Sequence, residues 1–315
     1  MGPGGRYFVE RVKILTLIAK SSRTALALGS SKKLGFSFAS PYLCKKDTDM
    51  NIKKTLSIVG CGKLGSIVAD AIRNGILSEY ELIGVYSRTR SKAEALAARM
   101  ACDKQAPAVC DSIGELLALK PDYIVEAASP AAMRELALPA LRGGSSVVTL
   151  SIGAFADDAF YAEVMQTAKA CGTHVYVVSG ATGGFDVLQT ATLMGGATAR
   201  FFNEKGPNAL RGTAVYDESL QTEQRTVFTG TAKEAIAMFP TKVNVTVAAS
   251  RASVGPEQMH VTMQSTPGFV GDTQRVEIKN EQVHAVIDVY SATAEIAGWS
   301  VVSTLLNIAS PIVFI

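Results

Sequence analysis

The run Thr55-Leu56-Ser57-Ile58-Val59-Gly60-Cys61-Gly62-Lys63-Leu64-Gly65 decides how this chain folds. Its first five residues predict a buried strand, and the apolar pattern Ile67, Val68, Ala71, Ile72 predicts a helix that begins inside the same run. Between strand and helix stands Gly-x-Gly-x-x-Gly. Gly60 permits a tight turn, Gly62 lets the backbone approach a pyrophosphate, and Gly65 lets the helix pack closely on the strand. The first free N–H groups of the helix then face the anion. A bare glycine pattern is common, and it is the strand before and the helix after that make this one a dinucleotide-binding fingerprint. The expected cofactor contacts here are Gly60, Gly62, Lys63, Leu64 and Gly65.

A second strand is expected over Glu81–Tyr86. At its end an NAD enzyme usually offers a carboxylate to the ribose hydroxyls. This chain offers Ser87-Arg88-Thr89-Arg90 instead. A hydroxyl with two guanidiniums suits a 2′-phosphate, so NADP(H) is the preferred cofactor through Ser87, Arg88 and Arg90, with NAD(H) as second choice. The other reading of the two arginines, solvated charges at a helix start, stays open.

Strand and helix keep alternating to Val178, with helices expected over 91–100, 113–118, 131–141 and 159–170 and strands over 123–127, 146–150 and 174–178. The fold class is therefore α/β, a Rossmann-type doubly wound parallel sheet. Ligands bind beyond the carboxyl ends of such strands, which places the nicotinamide end among the loops Glu126–Pro130, Ser151–Phe155 and Ser179–Asp186. From about Thr198 the pattern becomes that of a second, α+β domain, with strands expected over 209–216, 225–228, 259–264, 275–279 and 284–290 and helices over 232–238 and 244–252. Residues 299–315 read as a buried terminal helix and strand. The expected organisation is a leader over 1–49, disordered or lost from the mature protein, a dinucleotide-binding domain over 50–195 plus 292–315, and a substrate and dimerisation domain over 196–291.

Composition narrows the partners. The chain has 315 residues, 48% hydrophobic and 19% charged, which fits a folded body with a sizeable core. Residues 1–49 carry nine Lys/Arg against three acids, so the formal charge of +3 belongs to them and the remainder is mildly acidic. No basic, aromatic-interleaved face is left to bind nucleic acid. The longest apolar stretch, Trp299–Ile315, is interrupted by Ser300, Ser303, Thr304, Asn307, Ser310 and Pro311, so no membrane span is expected. Cys44, Cys61, Cys102, Cys110 and Cys171 show neither CxxC pairing nor His clustering, which predicts no metal site and reduced thiols in a cytoplasmic setting.

Across roughly residues 55 to 310 the chain resembles the L-aspartate dehydrogenase family. The segments that carry the resemblance are Gly60–Gly65, Glu126-Ala127-Ala128-Ser129-Pro130, Ser151-Ile152-Gly153-Ala154-Phe155-Ala156-Asp157, Ser179-Gly180-Ala181-Thr182-Gly183-Gly184-Phe185-Asp186 and Phe239-Pro240-Thr241-Lys242-Val243-Asn244-Val245. The resemblance implies a homodimer that oxidises aspartate to iminoaspartate or runs the reverse reductive amination. It places Ala128, Ser129 and Pro130 at the cofactor, and Ala181 and Asn244 at its nicotinamide half. It also implies a catalytic His that follows an Asp-Pro segment, and aligning Val261–Pro267 to that segment puts Gln274 where the His belongs. Gln does not titrate, so the proton-moving group is expected elsewhere: His260 or His284 if either faces the cleft, or Asp272, Asp186 or a Lys such as Lys242. Arg200, Arg211, Arg251 and Arg275 are candidate clamps for a small amino-acid or keto-acid substrate. The alternative function is an NADP(H)-binding sensor or partner protein that kept the cofactor site and lost the chemistry.

Overall fold

The structure, a computed structural model, describes residues 53–101, 105–239 and 243–314. The expected leader lies outside the described residues, as do Cys44, Cys102 and Lys242.

Strands β1 (Lys54–Val59), β2 (Tyr80–Tyr86), β3 (Ala108–Cys110), β4 (Tyr123–Glu126), β5 (Ser146–Thr149) and β6 (Val175–Val177) form one parallel sheet in the order β3-β2-β1-β4-β5-β6. This is the doubly wound order, with its reversal between β1 and β4. The sheet is covered by helices on both faces, so Leu56, Ile58, Val125, Val147 and Val148 are fully buried and the strands read as continuous apolar runs. The helices α1 (Lys63–Arg73), α2 (Arg90–Met100), α3 (Ile113–Ala118), α4 (Pro130–Arg142) and α5 (Asp158–Cys171) follow β1 to β5 in turn.

The second sheet contains β7 (Thr198–Lys205), β8 (Arg225–Thr231), β9 (His260–Ser265), β10 (Asp272–Lys279) and β11 (His284–Ser291), in the order β11-β10-β7-β9-β8. Within it β7 and β9 pair in parallel and the other neighbours antiparallel. One face buries Ala199, Phe201, Val261, Met263, Val276 and Ile278, while the alternate residues form a face that stays open. Helices α6 (Phe185–Leu193), α7 (Ala232–Met238) and α8 (Asn244–Arg251) belong to the covered side. The closing helix α9 (Glu295–Ala309) returns to the first sheet, where the Leu305 carbonyl accepts a 2.8 Å hydrogen bond from buried Tyr80.

The fold class is the expected one, but β3 and β7 are strands beyond those expected, and three further segments differ. Residues 209–216 form no strand. A 3-10 turn, Pro207–Leu210, and further turns occupy that segment, where Pro207 supplies no amide and Gly212 takes φ +80°. Residues 310–314 form no terminal strand either and are mostly exposed, since Pro311 supplies no amide for a ladder. Conversely, helix α6 begins at Phe185, inside the stretch read as loop.

Candidate active site

The fingerprint turn is built as its glycines require. Gly60 has φ +102°, and a Cβ there would lie 2.6 Å from the Ala127 carbonyl carbon and oxygen. At Gly65 a Cβ would fall 2.1 Å from the Gly60 oxygen, so the start of α1 rests directly on the turn. A Cβ at Gly62 would meet nothing within 4 Å, and Gly62 caps α1 with no side-chain hydrogen bond and no acid in the first turn. The result is a bare helix N-terminus beside open space, which fits a dinucleotide pyrophosphate.

Across the strand reversal, Glu126 organises the neighbouring loops. Its side chain is fully buried at the end of β4. Oε1 accepts from the Ala128 N–H, the Ser129 N–H and the Ser151 hydroxyl, each at 2.9 Å. Oε2 accepts from the Thr149 hydroxyl at 2.8 Å and the Ser151 N–H at 3.2 Å. Burial pushes this carboxyl above the usual carboxylate range, against the opposing pull of those hydrogen bonds. Ser129 in turn caps α4, its Oγ accepting from the Ala132 N–H, with Pro130 in the first turn.

A crevice of about 210 Å³ opens between these loops. It is lined by Leu64, Ala127, Ala128, Leu150, Ser151, Ile152, Ser179, Gly180, Ala181, Asn244, Val245 and Ala297. All three expected loops contribute, together with the start of α8 and a residue of α9. Two interactions fix α8 there. The Asn244 Oδ1 accepts from the Gly153 N–H at 2.8 Å, and Arg251 donates to the Phe155 carbonyl at 2.9 Å while pairing with Asp158. Gly180 is held from the other side by its N–H donating to the Ser300 Oγ at 3.1 Å.

Just past β2, Ser87 is half-buried and Arg88 exposed with no side-chain partner among the described residues, whereas Arg90 is held by Glu94 at 2.9 Å and by Asp111. Lys63 pairs with Glu295 at 2.9 Å across the mouth of the turn.

The candidate catalytic residues divide between the two faces of the second sheet. Gln274 and Asp272 lie on the covered face, Gln274 6% exposed. His260 lies on the opposite, open face, so it is not brought together with them. That open face holds a wider hollow of about 420 Å³, bordered by Arg200, His260, Thr262, Arg275 and Glu277 but by no residue of the fingerprint. The chemistry is better assigned to the smaller crevice, where the glycine turn and the strand ends converge. Of the four candidate arginine clamps, none lines that crevice. Arg200 and Arg275 are on the open face, Arg211 pairs with Glu218 beside Tyr216, and Arg251 is used to tie α8 down. Sequence reasoning placed Glu126 and Ser151 only within loops expected at the nicotinamide end, and gave no role to Ser300 or Lys205. For Lys205 the signal was available, because the alternation Ala199, Phe201, Asn203, Lys205 puts it on the covered face of β7. No His/Cys/Asp/Glu group able to hold a metal occurs among the described residues, and none of their helices is long and apolar enough to cross a membrane.

A doubly wound sheet with this turn, a crevice at its strand ends and a second mixed sheet define an NAD(P)-linked two-domain oxidoreductase. Residues 60–178 match the family model described as homoserine dehydrogenase, NAD binding domain, and residues 186–308 match aspartate dehydrogenase, C-terminal. L-Aspartate dehydrogenase of Methanosarcina mazei is 30% identical over 269 residues, 82% of this chain and 97% of that protein. L-Aspartate dehydrogenase 2 of Bordetella bronchiseptica is 30% identical over 241 residues, 75% and 87% of the two chains. The crystal structure of aspartate dehydrogenase from Thermotoga maritima superposes with TM-score 0.63 at 25% identity, covering 83% of this chain and 99% of that one. The chain belongs to the L-aspartate dehydrogenase family.

Proposed function

We propose that this protein interconverts L-aspartate and iminoaspartate with NADP(H) in preference to NAD(H). The observation that carries the reading is the crevice in which the fingerprint residue Leu64, the Ser179–Ala181 loop and Asn244 meet. The bound nicotinamide supplies a hydride acceptor in the oxidative direction and a hydride donor in reverse. Hydride leaves the aspartate Cα, the amine loses a proton to give the imine, and water then converts iminoaspartate to oxaloacetate and ammonia.

The chain's own residues set up that exchange. Gly60, Gly62, Lys63, Leu64 and Gly65 hold the pyrophosphate at the bare end of α1, and Ala128, which lines the crevice, contacts the cofactor with Ser129 and Pro130 behind it. Ser87, Arg88 and Arg90 receive the 2′-phosphate, with Arg88 the freer guanidinium because Arg90 already has two acids. Ala181 and Asn244 hold the nicotinamide half, and the Asn244 amide keeps its N–H donors for it because its Oδ1 is the atom used by Gly153. Asp272, beside Gln274 on the covered face, is the titratable candidate for moving the proton. Residues 50–195 with 292–315 form the cofactor domain, and 196–291 form the substrate domain. The open sheet face, with Val286 42% and Tyr290 58% exposed, pairs two copies into a homodimer.

The test is NADPH oxidation by the full chain with oxaloacetate and ammonia, beside an NADH control and a Gln274→His variant. Turnover faster with NADPH than NADH is expected. Tight NADPH binding with no turnover by either form would overturn the enzymatic reading in favour of a cofactor-binding protein.

A further inference from the structure

The covered face of the second sheet changes character along its length. At one end it is apolar, with Phe201, Met263 and Val276. At the other end it carries Asn203, Lys205, Ser265, Gln274 and Asp272. Register brings these together, since Lys205 pairs with Asp272 on one side and Ser265 on the other, and Asn203 pairs with Gln274.

Lys205 is only 6% exposed, and a lysine is rarely buried so deeply without acceptors around its ammonium. Among the described residues its one ion-pair partner is the Asp272 Oδ1 at 3.4 Å. The other groups around it are also underused. Among the described residues the buried Ser265 Oγ has no hydrogen-bond partner, the Asp272 Oδ1 makes an ion pair but no hydrogen bond, and the Gln274 amide makes none. Asn203 spends its amide on the Thr273 carbonyl at 3.0 Å. Asp272 is 41% exposed at its side chain, so this end of the face is reachable from solvent.

The chain leads from this end of the face to the crevice. Asp272 pairs with Ser291, the last residue of β11, and the chain then enters α9, whose Ala297 lines the crevice. The Ser179–Asp186 loop also presses on this face. A Cβ at Gly184 would meet the Ile287 Cγ1 at 2.6 Å, and Ile287 is two residues from Val289, the partner of Gln274.

We propose that Lys205 is the receptor for one carboxylate of a dicarboxylic substrate, with the Gln274 amide as a second donor and Asp272 holding the ammonium in place. This rests on the aspartate reading for its substrate class. A buried ammonium shared between one fixed carboxylate and one arriving carboxylate gains the charge-assisted bonds that the fold alone leaves unmade. It also gives Gln274 a use that does not need titration, as a neutral donor where a base is expected. Monocarboxylic keto acids gain nothing from this arrangement, so it selects for chain ends bearing a second negative charge.

The experiment uses the full chain loaded with NADPH and malonate, an unreactive dicarboxylate, titrated by calorimetry beside steady-state assays with oxaloacetate. Lys205→Met is expected to weaken malonate binding and raise the KM for oxaloacetate by about tenfold to a hundredfold, the range for a lost charge-assisted bond. Its NADPH affinity should stay within about twofold, since the cofactor loops are untouched. Asp272→Asn separates a receptor from a merely structural lysine. It removes a like charge and frees the ammonium, so malonate should bind more tightly than to wild type. Malonate binding that is unchanged in Lys205→Met, or weakened in Asp272→Asn, would overturn the proposal. If Lys205→Met does not fold, the Asp272→Asn result decides alone. Wild-type protein that binds malonate through Lys205 yet never turns over oxaloacetate would refute the aspartate reading while upholding this one.

Discussion

Replacing Glu126 tests whether the cofactor crevice is organised from beneath by one carboxylate. Its oxygens are not equivalent. Oε1 meets two main-chain donors, the Ala128 and Ser129 N–H groups, which have no means of turning round. Oε2 meets the Thr149 hydroxyl, which can rotate to accept, and the Ser151 N–H, which also reaches the Thr149 Oγ1 at 3.0 Å. A Gln at this position therefore settles with its carbonyl at the Oε1 site and its amide at the Oε2 site. It loses one charge-assisted bond and sets an N–H against the Ser151 N–H. Because burial already disfavours the charge, neutralising it recovers part of the desolvation cost, and the net loss is about 1–2 kcal/mol. Glu126→Ala instead strands the Ala128 and Ser129 N–H groups, about 1–3 kcal/mol each, and leaves a void besides. Melting temperatures should fall by about 2–6 °C for Gln and about twice as much or more for Ala. Since Ala128 and Ser151 line the crevice, NADPH affinity, read by fluorescence titration, should fall in the same order. An alanine variant that melts with wild type and binds NADPH equally would refute this reasoning, and so would a Gln variant that is the worse of the two.

Two of the fingerprint glycines should separate by assay. Gly62→Ala, with open space around it and ordinary backbone angles, should melt within about 1 °C of wild type yet lose NADPH affinity, whereas Gly65→Ala, driven 2.1 Å from the Gly60 oxygen, should lose both. Gly298→Ala would put a methyl 2.7 Å from the Ile67 Cδ1, costing about 1–2 kcal/mol in thermal unfolding. Adding Ile67→Val should restore part of it, and additive losses in the double variant would argue against the contact. Burial raises the Cys61 thiol to about 11, so below about pH 10 it stays protonated. Native protein treated with iodoacetamide at pH 8 should be modified at exposed Cys171 and spared at Cys61, as peptide mass mapping would show.

Periodicity carried most of the first sheet. The strands buried on both faces read as short apolar runs, and the fingerprint fixed their polarity and the place of the crevice. The second sheet was harder. Ala209–Tyr216 imitates strand alternation, but Pro207 and Gly212 favour turns, and whether a ladder position is free is a property of the assembled sheet rather than of the segment. Helix α6 hid behind Val187, Thr190 and Thr192, which favour strands, and it forms because its Leu188 and Ala191 are buried in the core shared with the second sheet. The separation of His260 from Gln274 was legible in principle. Met259, Val261 and Met263 mark the inward parity of β9, and Val276 and Ile278 mark that of β10, so one side chain points out and the other in. The role of Glu126 was not legible, because its five donors come from two separate stretches of chain, 128–129 and 149–151, that meet only once the sheet has formed.

The ties that hold α8 to the turn at Ile152–Ala156 have an evolutionary consequence. On the α8 side they are made by side chains, Asn244 and Arg251, but on the turn side by main chain, the Gly153 N–H and the Phe155 carbonyl. Main chain is the same whatever residue occupies the position. Among relatives that keep this junction, positions 244 and 251 should hold their identities while 153 and 155 drift according to local packing. Correlated-substitution methods, which need both partners to vary, should therefore find no signal at a junction that shapes the wall of the crevice.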